Sequence, residues 1–362
     1  MDSAALASKP ARFGSHHNAF GVLRLLLAAL VIVSHTPELA DGNSQREILT
    51  NLTGTLSFGG IAVFGFFIIS GYLITGSFIK STSLKSFLRK RVVRIYPAFI
   101  ISSLLCLLIV TPLAGAVFDI KSPHLVLNSI VRIAILGQPR VDGAFIGQYY
   151  NDPVSALNGA AWTIQYEFAC YILAAMLGLV GLYRHPIWVA MLALVCIIAA
   201  QLVPGNYAAS LTRGHIFAGA PAFIFKLPGM FLAGATFYVV RDRLRLTGGG
   251  CILATVGLCI SLPVAPLTDI GVAIFGGYLL LAVARFGGDT AFGRINDRND
   301  ISYGLYLYAW PIEQLLIKYF GSANLLTLGL ATFALAIVCG WASWLLIERP
   351  MMLYFAKPKD HT

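Results

Sequence analysis

The chain has 362 residues, of which 57% are hydrophobic and 12% charged, with a mean hydropathy of +0.77 and a formal net charge of +10. That composition lies outside the soluble globular range and identifies an integral membrane protein. The basic residues sit between apolar runs rather than on a polar face, and no nucleic-acid motif accompanies them, so orientation in a membrane accounts for the charge.

A mildly basic leader over 1–19 precedes an apolar run at 20–37. No small-residue cleavage site precedes Thr36 and the run is long enough to span, so it is expected to be a retained first helix. It carries two ionisable residues, Arg24 and His35. Eleven residues at about 100° each close to within roughly 20° of three turns, so both project from one face, ~16 Å apart along the axis. Ionisable groups inside a membrane helix are costly and usually face the bundle interior, which makes this pair a functional candidate.

Further apolar windows follow at 58–79, 96–113, 160–182, 186–204, 215–240, 249–267, 269–286, 301–320 and 323–347, giving ten expected transmembrane helices in an all-α fold. Kinks are expected near Pro204, Pro221 and Pro228, and the Pro263–Asp269 region leaves room for a merged or re-entrant seventh and eighth helix. With both termini cytoplasmic, 19 of the 26 Lys and Arg residues fall inside and six outside, as the positive-inside rule requires. The domain plan is a leader over 1–19, a membrane domain over 20–347 and a cytoplasmic tail over 348–362. A long external loop is expected at 114–159, suited to a lid or binding surface. The six cysteines lack CxxC or Cys/His spacing, so neither a disulfide framework nor a metal site is indicated.

Four stretches carry candidate chemistry. The second helix is glycine-rich, which permits close helix approach. It leads into a basic segment where Arg91 and Arg94, three residues apart, share a helix face; two guanidinium forks there can clamp phosphate, or can serve only as topological charge. Glu167 lies about two turns into the fourth helix and needs a partner at that depth; His35 is one choice, and an ion pair with Lys226 or Arg213 is the other. The ninth helix interleaves Tyr303, Tyr306, Tyr308 and Trp310 as a cavity wall and is expected to break at Pro311, after which come Glu313 and Gln314. At the end of the chain Pro350 is expected to stop the last helix beside Glu348 and Arg349.

Taken together, Arg24 and His35 in the first helix, FGFFIISGYLI in the second, RKRVVRIYP before the third, WTIQYEF at the fourth, ISYGLYLYAWP at the ninth and the terminal ERP resemble the membrane-bound acyltransferase-3 family. Members acylate bacterial surface and exported glycans. The resemblance implies His35 as the catalytic histidine, Arg24 as its companion, Arg91 and Arg94 as the pair engaging acyl-CoA, and Glu167 as an acidic site residue. Trp162, Tyr166, Tyr306 and Trp310 would contact substrate. The chain departs from many relatives in having Ala309 where they carry a second histidine, and Val22 and Leu23 where an acidic residue often precedes the arginine.

The expectation is therefore a bacterial inner-membrane O-acetyltransferase. It would take acetyl-CoA from the cytoplasm and modify a hydroxyl of an exported or lipid-linked saccharide, without metal or nucleic acid and with membrane lipid as its surroundings. The alternative is a proton-coupled transporter or flippase using Arg24, His35 and Glu167 as a relay.

Overall fold

The computed structural model describes residues 18–148, 157–203, 220–297, 299–321 and 324–356. The leader over 1–17, Arg213 and the tail from 357 onward lie outside the described residues. The described chain is all helical, and each of the ten apolar windows holds a helix. In order these are α1 (Phe20–Asp41), α2 (Ile48–Thr53, a short turn between windows), α3 (Phe58–Ile79), α4 (Leu84–Leu113), α5 (Pro123–Ala134), α6 (Thr163–Leu179), α7 (Pro186–Leu202), α8 (Phe223–Val239), α9 (Gly248–Ser261), α10 (Ala265–Phe286), α11 (Ser302–Phe320) and α12 (Leu325–Phe355). Six stretches among the described residues are long and apolar enough to cross a membrane: α1, α3, α4, the run Gly159–Leu179 that contains α6, α10 and α12. The helices α7, α8 and α9 are apolar but shorter.

Local chemistry sets the helix ends. Ser57, Ser83, Thr247 and Asn324 accept hydrogen bonds from the first-turn amides of α3, α4, α9 and α12. Helix α1 ends on Gly42 in the left-handed region, φ 75°, where its amide closes on the Glu38 carbonyl. The glycines of α3 allow an intimate crossing with α8. A Cβ built on Gly71 would stand 1.8 Å from the Phe231 carbonyl oxygen, and one on Gly234 1.9 Å from that of Ile68. The backbones touch where side chains would otherwise intervene.

Helices α1 and α11 run parallel. Arg24 near the start of α1 meets Asp300 just before α11, while Thr36 near the end of α1 meets Glu313 in the second half of α11. Arg24 therefore faces the bundle, and so does His35, whose ring packs on Trp310 of α11.

Three expectations need correction. The segment 114–159 is not one continuous loop over its described residues. It contains α5, and Leu136, Val141, Ala144, Phe145 and Leu157 are buried, the last four against the far end of α4. Asn158 donates to the Leu307 carbonyl at 2.6 Å and Ala160 lies beside Tyr306, so residues 157–162 descend alongside the first half of α11. Backbone at that depth is tolerated because protein surrounds it. Second, α11 passes through Pro311 without a break. Third, α12 does not stop at Pro350. A π-turn over Trp344–Glu348 shifts the hydrogen-bond register just before the proline, and the helix continues to Ala356. Residues 262–264 form a tight turn between α9 and α10, and the rest of the Pro263–Asp269 region already belongs to α10.

Candidate active site

A cavity of about 600 Å³ opens at the end of the bundle that carries Arg89, Lys90 and Arg91. Its walls come from α1, α3, α4, α6, α11 and α12, and include Arg24, Arg94, Glu167, Tyr171, Asp300, Tyr303 and Tyr306. Such a volume suits a small-molecule ligand, and the cationic rim suits an anionic one.

The basic pair predicted from spacing divides into two roles. Arg94 already has partners on both arms: Nη2 reaches Asp300 at 2.7 Å and Nη1 reaches Glu348 at 3.0 Å. Its guanidinium also lies over the rings of Tyr303 and Trp344. Arg24 joins the same group through Asp300 at 3.0 Å. Two arginines and two carboxylates balance one another, tying α1, α4, α12 and the loop before α11 together. Asp300, outside the helices, is pushed up by burial, but the neighbouring Arg24 and Arg94 outweigh that and hold its carboxyl down at about 2. Arg91 differs. Among the described residues it has no carboxylate within salt-bridge distance; its Nη2 donates to Ser77 Oγ at 3.2 Å, and the group lies between the rings of Phe87 and Tyr171. The Nε groups of Arg24 and Arg91 are buried without a protein acceptor among the described residues.

Glu167 lines this cavity too, and accepts from the Tyr171 hydroxyl at 2.5 Å. It is not the partner of His35. Because residues 157–162 occupy the far part of the bundle, α6 starts only at Thr163, and Glu167 falls at the level of the arginines rather than of His35. The alternative pairing with Lys226 is also not formed, since Lys226 pairs with Asp269 at 2.8 Å.

His35 sits in a second, small pocket of about 10 Å³ with Ala28, Val31, Ile32, Ala160, Tyr306, Ala309, Trp310 and Glu313. Its ring meets Trp310 edge to face, centroids 4.8 Å apart. Glu38, one turn along the same helix, stands 3.3 Å from His35 Nδ1. A donated Nδ1–H there leaves the Nε2 lone pair free to accept a proton, the arrangement a general base needs. Glu313, 1% exposed, shares a 2.6 Å hydrogen bond with the Thr36 hydroxyl.

The structure thus brings Arg24, Arg91, Arg94, Glu167 and Tyr306 to one cavity and His35, Trp310 and Tyr306 to the other. Trp162 and Tyr166 line neither; they pack on each other, centroids 5.7 Å apart, and Trp162 also packs on Phe223. Sequence reading missed Asp300 and Glu38. The i, i+3 spacing of His35 and Glu38 was a usable signal. Asp300, 206 residues from Arg94, offered none.

The family model described as an acyltransferase domain matches residues 17–347. A curated O-acetyl transferase of Shigella phage Sf6 is 28% identical over 92% of this chain and 95% of its own length. Nodulation protein 10 of Rhizobium leguminosarum bv. viciae is also 28% identical, over 93% of this chain and 94% of its own. No solved structure matches the chain. A family match of this extent answers the transporter alternative, and with the apolar helices and the two cavities on α1 in view, the chain belongs to the acyltransferase-3 family and is a membrane-bound O-acyltransferase.

Proposed function

We propose that the protein transfers an acetyl group from acetyl-CoA to a hydroxyl of an exported or lipid-linked saccharide at a bacterial inner membrane, with ten spans and both termini cytoplasmic. The observation that carries this reading is the cavity itself: it opens among the basic residues Arg89, Lys90 and Arg91, and one of its walls is Arg24, on the same helix as His35. Arg91, with Arg89 and Lys90, holds the phosphates of the nucleotide, and Arg94 keeps the wall in place. The pantetheine arm passes Arg24 toward His35, and ~16 Å of helix separates the two. The acceptor hydroxyl oxygen then attacks the thioester carbonyl as His35 Nε2 takes its proton, and collapse of the tetrahedral intermediate expels CoA thiolate, which recovers that proton. The name of the phage relative supports acetyl as the group moved.

Arg91→Ala is expected to weaken acetyl-CoA binding by about 1.5–3 kcal/mol, the worth of a charge-assisted hydrogen bond to phosphate, and Arg91→Lys to restore only part, because it keeps charge and loses the fork. Calorimetry in detergent measures this; unchanged affinity in Arg91→Ala would remove Arg91 from the donor site.

The sidedness of the reaction tests the reading as a whole. In sealed vesicles of known orientation, labelled product should form when acetyl-CoA is on the face bearing Arg91 and acceptor is on the other. Product that requires both on the basic face would refute transfer across the membrane.

A further inference from the structure

Among the described residues, Tyr306 alone lines both the large cavity and the pocket of His35. Its hydroxyl donates to the carbonyl oxygen of Ala160 and accepts from Thr163 Oγ1 at 2.7 Å. These two bonds use the phenol's single proton and one lone pair, and both anchors belong to the stretch that opens α6. Of the two anchors, Thr163 lines the large cavity and Ala160 the small pocket. Phe66, another wall of the large cavity, holds the ring edge-on with centroids 6.3 Å apart.

The side chain is therefore a partition. Beyond it the pocket at His35 offers about 10 Å³, roughly what one water needs and far less than a thioester. Arg24 and His35 share a helix face, yet their two cavities meet at the Tyr306 ring, which Phe66 packs against and two neutral hydrogen bonds hold.

We propose that Tyr306 is a gate between the donor cavity and His35, latched by Thr163 and Ala160 and displaced when the acyl end of the donor arrives. The proposal rests on His35 as the centre of transfer. With the latch closed, the thioester is kept from His35 and from water on the far side. When it opens, the acyl carbon enters the pocket where Nε2 and the acceptor meet. A latch of this kind limits loss of donor to hydrolysis when no acceptor is bound.

The test reads accessibility, independently of turnover. Full-length protein carrying Ala309→Cys as a reporter in the small pocket is placed in sealed vesicles with the Arg91 face outward and exposed to membrane-impermeant sulfonatoethyl methanethiosulfonate. The modified peptide is then quantified by mass spectrometry, which separates residue 309 from the native cysteines. Ser70→Cys, in the large cavity, serves as the accessible control.

With Tyr306 present, residue 309 should be labelled slowly while residue 70 is labelled readily. Tyr306→Ala should speed labelling of residue 309 to approach the control. Tyr306→Phe keeps the ring and removes both bonds. Thr163→Val keeps the ring and Ala160 and removes one bond. Each should accelerate labelling by about two- to tenfold per bond lost, the range one neutral hydrogen bond contributes to an opening equilibrium. Phe and Val preserve volume and so cover the case in which Tyr306→Ala does not fold. Unchanged labelling in the folded Phe and Val variants, with the control intact, would overturn the gate.

A second readout separates this proposal from the transfer mechanism. Acetyl-CoA hydrolysis without acceptor should rise in Tyr306→Phe and fall back when His35→Ala is added. If labelling responds as expected but His35→Ala does not suppress the hydrolysis, the gate stands and the role of His35 fails.

Discussion

His35→Ala should lower acyl transfer by about 10²- to 10⁴-fold, the range a positioned general base contributes, while the protein inserts and accumulates at the normal level. The imidazole lies toward the end of α1, against Trp310, in a pocket so small that truncation opens only a modest void. Its hydrogen-bond partner among the described residues is Glu38, on the same helix, so truncation is expected to cost little stability. The loss should therefore be chemical. Glu38→Gln should give a smaller loss of kcat with acetyl-CoA affinity intact, because an amide can still accept from Nδ1–H but no longer carries the charge that stabilises the imidazolium. Purified variants, assayed for turnover beside a donor-binding measurement, decide the matter. Near-normal turnover in His35→Ala would remove it as the base.

Arg94→Ala should act differently, destabilising the folded protein by about 3–5 kcal/mol as well as weakening donor binding, because it leaves the buried carboxylates Glu348 and Asp300 short of their shared cation. Glu348 is 2% exposed and, among the described residues, retains the Ser343 hydroxyl at 3.0 Å. Arg91→Ala, one turn away with no carboxylate partner among the described residues, should leave thermal stability close to that of the parent. The contrast between neighbours separates an architectural arginine from a ligand-binding one. Adding Glu348→Gln to Arg94→Ala should recover part of the loss, since the orphaned charge goes with it. Thermal unfolding in detergent measures all three, and equal stability in Arg94→Ala and Arg91→Ala would show that the four-membered cluster does not hold the helices.

The same cluster fixes a pH dependence. Asp300 is depressed from an ordinary 3.8 to about 2, so its contribution is fully present above about pH 4 and is lost as pH falls toward 2. Asp300→Asn should remove that acid limb of the stability profile.

Residue order was enough to locate the ten apolar helices, to assign them to a membrane and to point to their family, although it missed α5. These properties are local: apolar runs of spanning length, capping serines and threonines, and short motifs in a fixed order. It also placed Arg24 and His35 on one face of α1, because helical periodicity is a property of a single element. What it could not decide is which faces meet. Only the tertiary structure paired Arg94 with carboxylates 206 and 254 residues away, gave Glu167 to the arginine cavity instead of to His35, and folded residues 157–162 into the bundle beside α11. Each depends on the register between helices, which long-range packing sets and residue spacing within one helix does not encode. The position of Tyr306 between the large cavity and the His35 pocket belongs to the same class, since three chain segments must converge to place it there.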